Sequence, residues 1–157
     1  MLRFRPANAA DIPYLMRLEQ DAPTAAHWTL AQYELVLCGD SPQRLVLVAD
    51  RPNADIIFGF LVASRVADEW EIENLVVGGR WRRNHIAEGL VSAFLGELRS
   101  TASRSILLEV RESNLAARRL YEKIGFTADG RRNGYYHVPD EDCILYRLSL
   151  QPCDKIP

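Results

Sequence analysis

The stretch LLEVRESNLAARRLYEKIGF, residues 107–126, constrains the fold more than any other part of the chain. Ser105 to Val110 is an apolar run of strand length and composition. A helix follows almost at once. Ser113 is the expected cap, Asn114 begins the helix, and Gly125 is the expected stop, because glycine accepts a left-handed backbone without steric cost. Strands mixed with helices in this way point to an α+β or mixed-sheet fold.

The rest of the chain continues in the same manner. Leu2 to Pro6 alternates apolar and charged residues, as a short strand does. Ala7 to Asp11 starts a helix with Asn8 as N-cap, and Ile12, Leu15, Met16, Leu18 and Glu19 continue it as a stripe at helical spacing. Thr29 to Leu37 reads as a second helix, capped by Thr29 and stopped by Gly39. Leu45 to Ala49 is a buried strand, joined through a turn at 51–55 to a partner strand from Ile56 to Ala63. Glu69 to Val77 is a fourth strand and Arg80 to Asn84 a basic break. His85 to Arg99 is a helix with Ile86, Leu90, Phe94 and Leu98 on one face. Phe126 to Thr127 and Cys143 to Leu150 are the expected last strands, separated by a polar loop that holds Gly134, Tyr135, Tyr136 and Pro139. The order β-α-α-β-β-β-α-β-α-β-β predicts an α+β fold with a mixed sheet. At 157 residues the expectation is one domain over 1–150 and a short tail at 151–157.

Bulk composition narrows the functional classes. With 19 basic against 21 acidic residues and a formal net charge of −2, the chain has no basic character to suggest nucleic acid as partner. Cys38, Cys143 and Cys153 are odd in number, widely spaced and without a Cys-x-x-Cys pair, which predicts reduced thiols in a cytoplasmic protein. His27, His85 and His137 are scattered, so no metal is expected. MLRFRPANAAD lacks an apolar signal core, and no apolar run approaches the ~20 residues of a membrane span, so no membrane is expected as partner.

Two segments carry candidate chemistry. In the first, the strand ending Leu75-Val76-Val77 runs into the basic loop RWRRNHIA and then a helix. A helix start offers unpaired N–H groups and partial positive charge to phosphate, and Arg80, Arg82 and Arg83 add charge-assisted donors. RWRRNHIA contains no glycine, so spacing alone leaves both an anion site and an exposed basic turn open. In the second, Glu109 lies among apolar strand neighbours and Tyr121 lies two turns into the helix begun by Asn114. A buried carboxylate of raised pKa is a candidate general base, and a tyrosine hydroxyl a candidate general acid. A solvated strand glutamate and a core tyrosine remain the plainer account of the same residues.

Taken in this order, the two segments resemble the acetyl-CoA-binding and catalytic motifs of the GNAT superfamily of N-acetyltransferases. That superfamily has a strand, then Gln/Arg-x-x-Gly-x-Gly/Ala, then a helix. Arg82-Arg83-Asn84-His85-Ile86-Ala87 matches the loop at its first and last positions, with His85 where the first glycine stands. SNLAARRLYEKIGF is similar to the superfamily signature Asn-x-x-Ala-x-x-Leu-Tyr-x-x-x-Gly-Phe. LEVRESN together with RRNGYYHVPDEDCILYRLSL resembles the RimI-type enzymes, which acetylate the N-terminal amine of a small-subunit ribosomal protein, and Trp28-Thr29 is similar to a Trp-Ser/Thr pair of that group.

The resemblance implies a central mixed, mostly antiparallel sheet of about seven strands flanked by helices. It implies an acetyl-CoA-dependent N-acetyltransferase, with Glu109 as general base and Tyr121 as general acid. Leu75, Val76 and Val77 would hold the pantetheine arm through their backbone, as an added strand would. Arg82, Arg83, Asn84, His85, Ile86, Ala87 and Glu88 would surround the pyrophosphate, and Asn114 would bond the cofactor arm. A histidine at the glycine position has to accept a left-handed backbone at some cost. The acceptor implied is a peptide or protein N-terminus, ribosomal by analogy, with a small first residue such as alanine or serine. Trp28, Tyr135 and Tyr136 would wall it, and Glu71 and Glu73, with Asp140, Glu141 and Asp142, would attract its cationic amine. Glu69, Glu71 and Glu73 share one strand face, so Glu71 and Glu73 also rival Glu109 as base. A small-molecule amine as acceptor and a non-catalytic acyl-CoA-binding module are the competing readings.

Overall fold

The computed structural model describes residues 1–38 and 43–151. The elements run β1 (Arg3–Pro6), α1 (Ile12–Gln20), α2 (Leu30–Cys38), β2 (Arg44–Asp50), β3 (Ile57–Val66), β4 (Glu69–Val77), α3 (Ile86–Leu98), β5 (Ser105–Arg111), α4 (Leu115–Ile124), β6 (Thr127–His137) and β7 (Asp140–Ser149). This is the order of strands and helices expected from the sequence. The strands form one mixed, mostly antiparallel sheet in the order β1-β2-β3-β4-β5-β7-β6. The β4–β5 pair is parallel, and its ladder runs from Glu69↔Ser105 to Ile72↔Leu108. The expected helix stop at Gly39, the tail at 152–157 and Cys153 lie outside the described residues.

By backbone contacts the chain divides into two compact units, one of residues 1–64 and 73–99, the other of 65–72 and 100 onward. In the first unit, Leu15, Tyr33, Val46, Val48, Phe60, Val62 and Val76 form a buried cluster. Ile86, Leu90, Phe94 and Leu98 of α3 are all buried, as their spacing predicts. Close approach needs glycine at position 59, where a Cβ would stand 2.6 Å from the Val76 carbonyl oxygen. In the second unit, Ile106, Leu108 and Val110 of β5 are buried, as are Tyr121, Phe126, Cys143 and Tyr146.

Three local expectations are corrected. The segment from Ala7 to Asp11 is a single 3-10 turn, Ala9–Asp11, and α1 begins only at Ile12. Asn8 does cap it: its Oδ1 accepts from Ala10 N–H, while its own N–H donates to Asp11 Oδ2. Pro13 suits the first turn of a helix and sets the later start. The cap of α4 is Asn114 rather than Ser113, because Asn114 Oδ1 accepts from Ala117 N–H at 3.2 Å. The expected polar loop with Tyr135 and Tyr136 is strand β6, joined to β7 by a turn at Val138-Pro139. β6 is an edge strand exposed along nearly its whole length, so it carries no apolar alternation and is made by pairing with β7.

Candidate active site

The first unit holds the basic loop. β4 points Trp70, Ile72, Asn74 and Val76 inward, and leaves Glu69, Glu71, Glu73, Leu75 and Val77 on the opposite, more exposed face. After Val77 the chain passes through a 3-10 turn at Gly79–Trp81, with Trp81 packed edge-on against Phe58. Arg83 (φ 62°) and His85 (φ 57°) then both take the left-handed backbone. His85 therefore holds the conformation for which glycine is usual, and α3 begins directly after it. The first N–H groups of a helix have no intrahelical partner. Arg82, Arg83 and His85 are exposed around this helix start. Asn84 turns inward on the loop, donating to the Trp81 and Arg82 carbonyls at 3.2 and 3.1 Å. His85 Nδ1 lies 3.1 Å from Oε2 of Glu88, the acidic residue of the first helical turn. A left-handed loop opening a helix, with guanidinium groups around it, fits the phosphates of a nucleotide-bearing thioester.

The same unit holds part of the expected acceptor side. Thr29 caps α2 as expected, its Oγ accepting from Gln32 N–H. Trp28 precedes it, half-buried, with its ring 5.5 Å from that of Tyr33 and the Arg44 guanidinium 5.4 Å above its face. Arg44 also grips Glu73 with two bonds of 3.2 and 3.1 Å. Glu73 is thus an ion-pair partner, and Glu71 is exposed on the same strand face.

In the second unit, Glu109 is not buried: its side chain is 23% exposed and lies 2.6 Å from Arg132 Nη1. Of the two readings left open for Glu109, the structure has the partly solvated one, because β5 turns Glu109 away from the core side that takes Leu108 and Val110. Tyr135 joins the group: the nearby Glu109 carboxylate holds its phenol above the usual range, and Arg132 stacks 5.2 Å from its ring. Tyr136 packs edge-on against Tyr135 and beneath the Arg111 guanidinium. The β6 bulge between Arg132 and Tyr136, with Gly134 at φ 58°, sets these side chains. The acidic patch expected around them is largely paired: Glu141 with Arg111 and the Ser113 N–H, Asp142 with Arg131 and the Gly134 N–H.

Tyr121 sits on α4, 6% exposed, and burial pushes its phenol well above the usual tyrosine range. Its position is set by how the helix ends. Gly125 (φ 114°) donates to the Glu122 carbonyl and Phe126 to the Tyr121 carbonyl, while the Phe126 ring packs 5.6 Å from that of Tyr121. This is a Schellman stop with its accompanying apolar contact. Asn114, expected on the cofactor arm, spends its side-chain oxygen on capping the same helix. Sequence reasoning missed Arg132, Arg44, Glu19 and Asn74. The last two had a signal: each is a polar residue at a position that the helical or strand period assigns to the buried face.

Comparison with known proteins places these features in a family. The sequence model of the acetyltransferase (GNAT) family matches residues 12–126. The [ribosomal protein bS18]-alanine N-acetyltransferase of Escherichia coli (strain K12) is 33% identical over 145 residues, covering 91% of this chain and 94% of that protein. The enzyme of the same name from Salmonella typhimurium is 30% identical over 148 residues, again covering 91% and 94%. Among solved structures, the ribosomal-protein-S18-alanine N-acetyltransferase of Escherichia coli superposes with a TM-score of 0.85 at 24% identity, over 100% of this chain and 99% of that one. Arabidopsis thaliana NAA60 in complex with acetyl-CoA gives 0.82 at 20% identity, over 96% and 99%. The seven-stranded sheet, the left-handed loop opening α3 and the Asn-capped, Gly-Phe-stopped helix α4 are therefore those of a family member, and the chain belongs to the GNAT family of acetyltransferases.

Proposed function

We propose that the protein transfers the acetyl group of acetyl-CoA to the N-terminal α-amine of a protein, of the kind served by the bS18-alanine acetyltransferases it is similar to. The observation that carries the cofactor half is the left-handed backbone at His85, which keeps the phosphate-binding turn despite the missing glycine. Similarity to the bS18-alanine enzymes over more than nine tenths of both chains supports the acceptor half. The family match running from residue 12 to 126, through both compact units, supports reading 1–150 as one catalytic domain.

Acetyl-CoA, when bound, supplies the acetyl group as a thioester. Leu75–Val77, beyond the last β5 pair at Ile72, offers strand edge to its pantetheine arm, and a backbone N–H there would stabilise the oxyanion. The N–H groups of Ile86, Ala87 and Glu88 with Arg82 and Arg83 would hold the pyrophosphate. Glu109 would take the amine proton. Its carboxylate is paired with Arg132 through Oε1, so the proton would pass to a carboxylate already held in place by that guanidinium. Tyr121 would give its proton to the departing sulfur. Its burial keeps that proton in place until thiolate charge develops. An α-amine, with a pKa of about 7.7–8.0 against about 10.4 for lysine, is partly neutral near pH 7 and asks less of such a base.

The test is a panel of short peptides with free and blocked N-termini, beside free amino acids, polyamines and aminoglycosides, with mass spectrometry locating the acetyl group. Free N-termini beginning with alanine or serine are expected to be acetylated. A small amine turned over with far higher kcat/KM than every peptide would reassign the acceptor and leave the acetyltransferase assignment standing.

A further inference from the structure

We infer that Glu19 is a positioning residue, which ties the acceptor-side segment Ala26–Trp28 to the strand that carries Leu75–Val77. The inference rests on the acceptor reading above. Glu19 lies on α1 and is 2% exposed. A carboxylate taken out of water is tolerated only when its oxygens are well partnered. Here Oε1 accepts from Asn74 Nδ2 at 2.8 Å, and Oε2 accepts from the Trp28 N–H at 3.1 Å. Asn74, 6% exposed on β4, donates again from Nδ2 to the Ala26 carbonyl at 3.2 Å. Two side chains thus bind both ends of a short segment, one from α1 and one from β4.

The segment needs them. Residues 22–29 form turns and irregular chain between α1 and α2, with no helix or strand of their own. Its register against β4 is set by these side-chain bonds. Trp28 then carries the placement onward: it packs on Tyr33 and lies beneath Arg44, which holds Glu73. Asn74 sits between Glu73 and Leu75, so one network reaches a residue assigned to the acceptor and the backbone assigned to the cofactor arm. The Tyr33 hydroxyl is buried beside the same carboxylate and raised by burial and by Glu19, yet it meets no partner at hydrogen-bond geometry. Burial pushes the Glu19 carboxyl up, opposed by Tyr33, the Trp28 N–H, His27 and Asn74. A glutamate serving the core alone could be bonded anywhere. This one bonds the segment that the acceptor reading requires.

The experiment uses the full-length enzyme and its best peptide, and measures peptide KM, kcat, acetyl-CoA affinity by calorimetry and Tm. Glu19→Gln keeps the side-chain shape but sets an NH2 against the Asn74 NH2. Peptide KM is expected to rise on the order of tenfold to a hundredfold, as for ångström-scale misplacement of a binding segment. The acetyl-CoA dissociation constant is expected to stay put. Asn74→Ala, which releases Ala26 but leaves the Glu19 to Trp28 bond standing, is expected to shift peptide KM the same way by less, and it decides the matter if Glu19→Gln does not fold. A lowered Tm with peptide KM unchanged, or equal weakening of peptide and acetyl-CoA, overturns the inference and leaves Glu19 a residue of the core. If the wild-type enzyme acetylates only small amines, the acceptor reading falls instead, and the same comparison is made with the amine's KM.

Discussion

Tyr121 shows how far a single residue's chemistry depends on its surroundings. Its spacing after Asn114 was legible, but spacing does not separate a proton donor from a packed ring. Burial raises the phenol above its usual range, but a tyrosine is protonated at neutral pH in either case, so kinetics has to separate the two accounts. Tyr121→Phe keeps the ring contacts with Phe126 and Tyr146 and removes only the proton, so kcat is expected to fall about 10²–10⁴-fold with acetyl-CoA affinity unchanged. Equal single-turnover rates for the two proteins would return Tyr121 to the core. His85 is the converse case. Its imidazole faces solvent and its backbone carries the strain, at about 1–2 kcal/mol for a side chain in the left-handed region. His85→Gly is expected to raise Tm without weakening acetyl-CoA in calorimetry. A weaker dissociation constant would mean that the imidazole itself touches the phosphates. Glu109 was legible as a strand residue, but whether it is buried was not, because its exposure depends on which face of β5 is covered, and its partner Arg132 lies on an edge strand.

At the scale of elements, helix α4 is the part that local sequence specifies most completely. Asn114 closes its start and Gly125 its end, and the Gly-Phe stop presses Phe126 on Tyr121, so one motif both ends the helix and places the candidate acid. Gly125→Ala forces a Cβ into the left-handed backbone. It is expected to cost about 1–2 kcal/mol in urea unfolding. It is also expected to lower kcat by moving Tyr121, while acetyl-CoA affinity holds. A loss of stability with kcat intact would separate the stop from the chemistry. β6 is the opposite extreme. Both its faces are exposed, so no hydrophobic period marks it, and its strand character comes from the ladder with β7. Tyr135 and Tyr136 were legible as a pair; their strand setting and the bulge that aims them were not.

At the scale of the whole molecule, a charge network at the N-terminal side couples stability to pH. Arg5 bonds both Asp11 and Asp50, and Arg3 joins it on Asp50. Burial alone would raise Asp11, but Arg5 and the Asn8 N–H bring it below its ordinary value; Asp50 is lowered first by Arg3, against some burial, and then by Arg5. Carboxylates depressed in the folded state contribute stability that is full above their unfolded pKa of about 3.9 and is lost as pH falls through the lower folded values. Arg5→Ala is therefore expected to cost about 2 kcal/mol at pH 7, and the gap from wild type should close as both proteins are taken below about pH 4. Urea midpoints at pH 7 and pH 3 check this, and a gap independent of pH would remove the charge pairing as its cause. The Asp50 pairs were not legible, since Arg5 and Asp50 are 45 positions apart and meet only because β1 lies on β2. What the sequence by itself determined is what depends on near neighbours: the order of strands and helices, the caps at Asn8 and Thr29, the stop at Gly125, the buried face of α3 and the family signature. These follow from hydrophobic period and backbone preference within a few residues. Tertiary structure alone decided which polar groups meet. It put Arg132 on Glu109, Arg44 between Trp28 and Glu73, and Glu19 with Asn74 against the segment Ala26–Trp28. Such contacts are made across the sheet between residues far apart in the chain, and no local period encodes them.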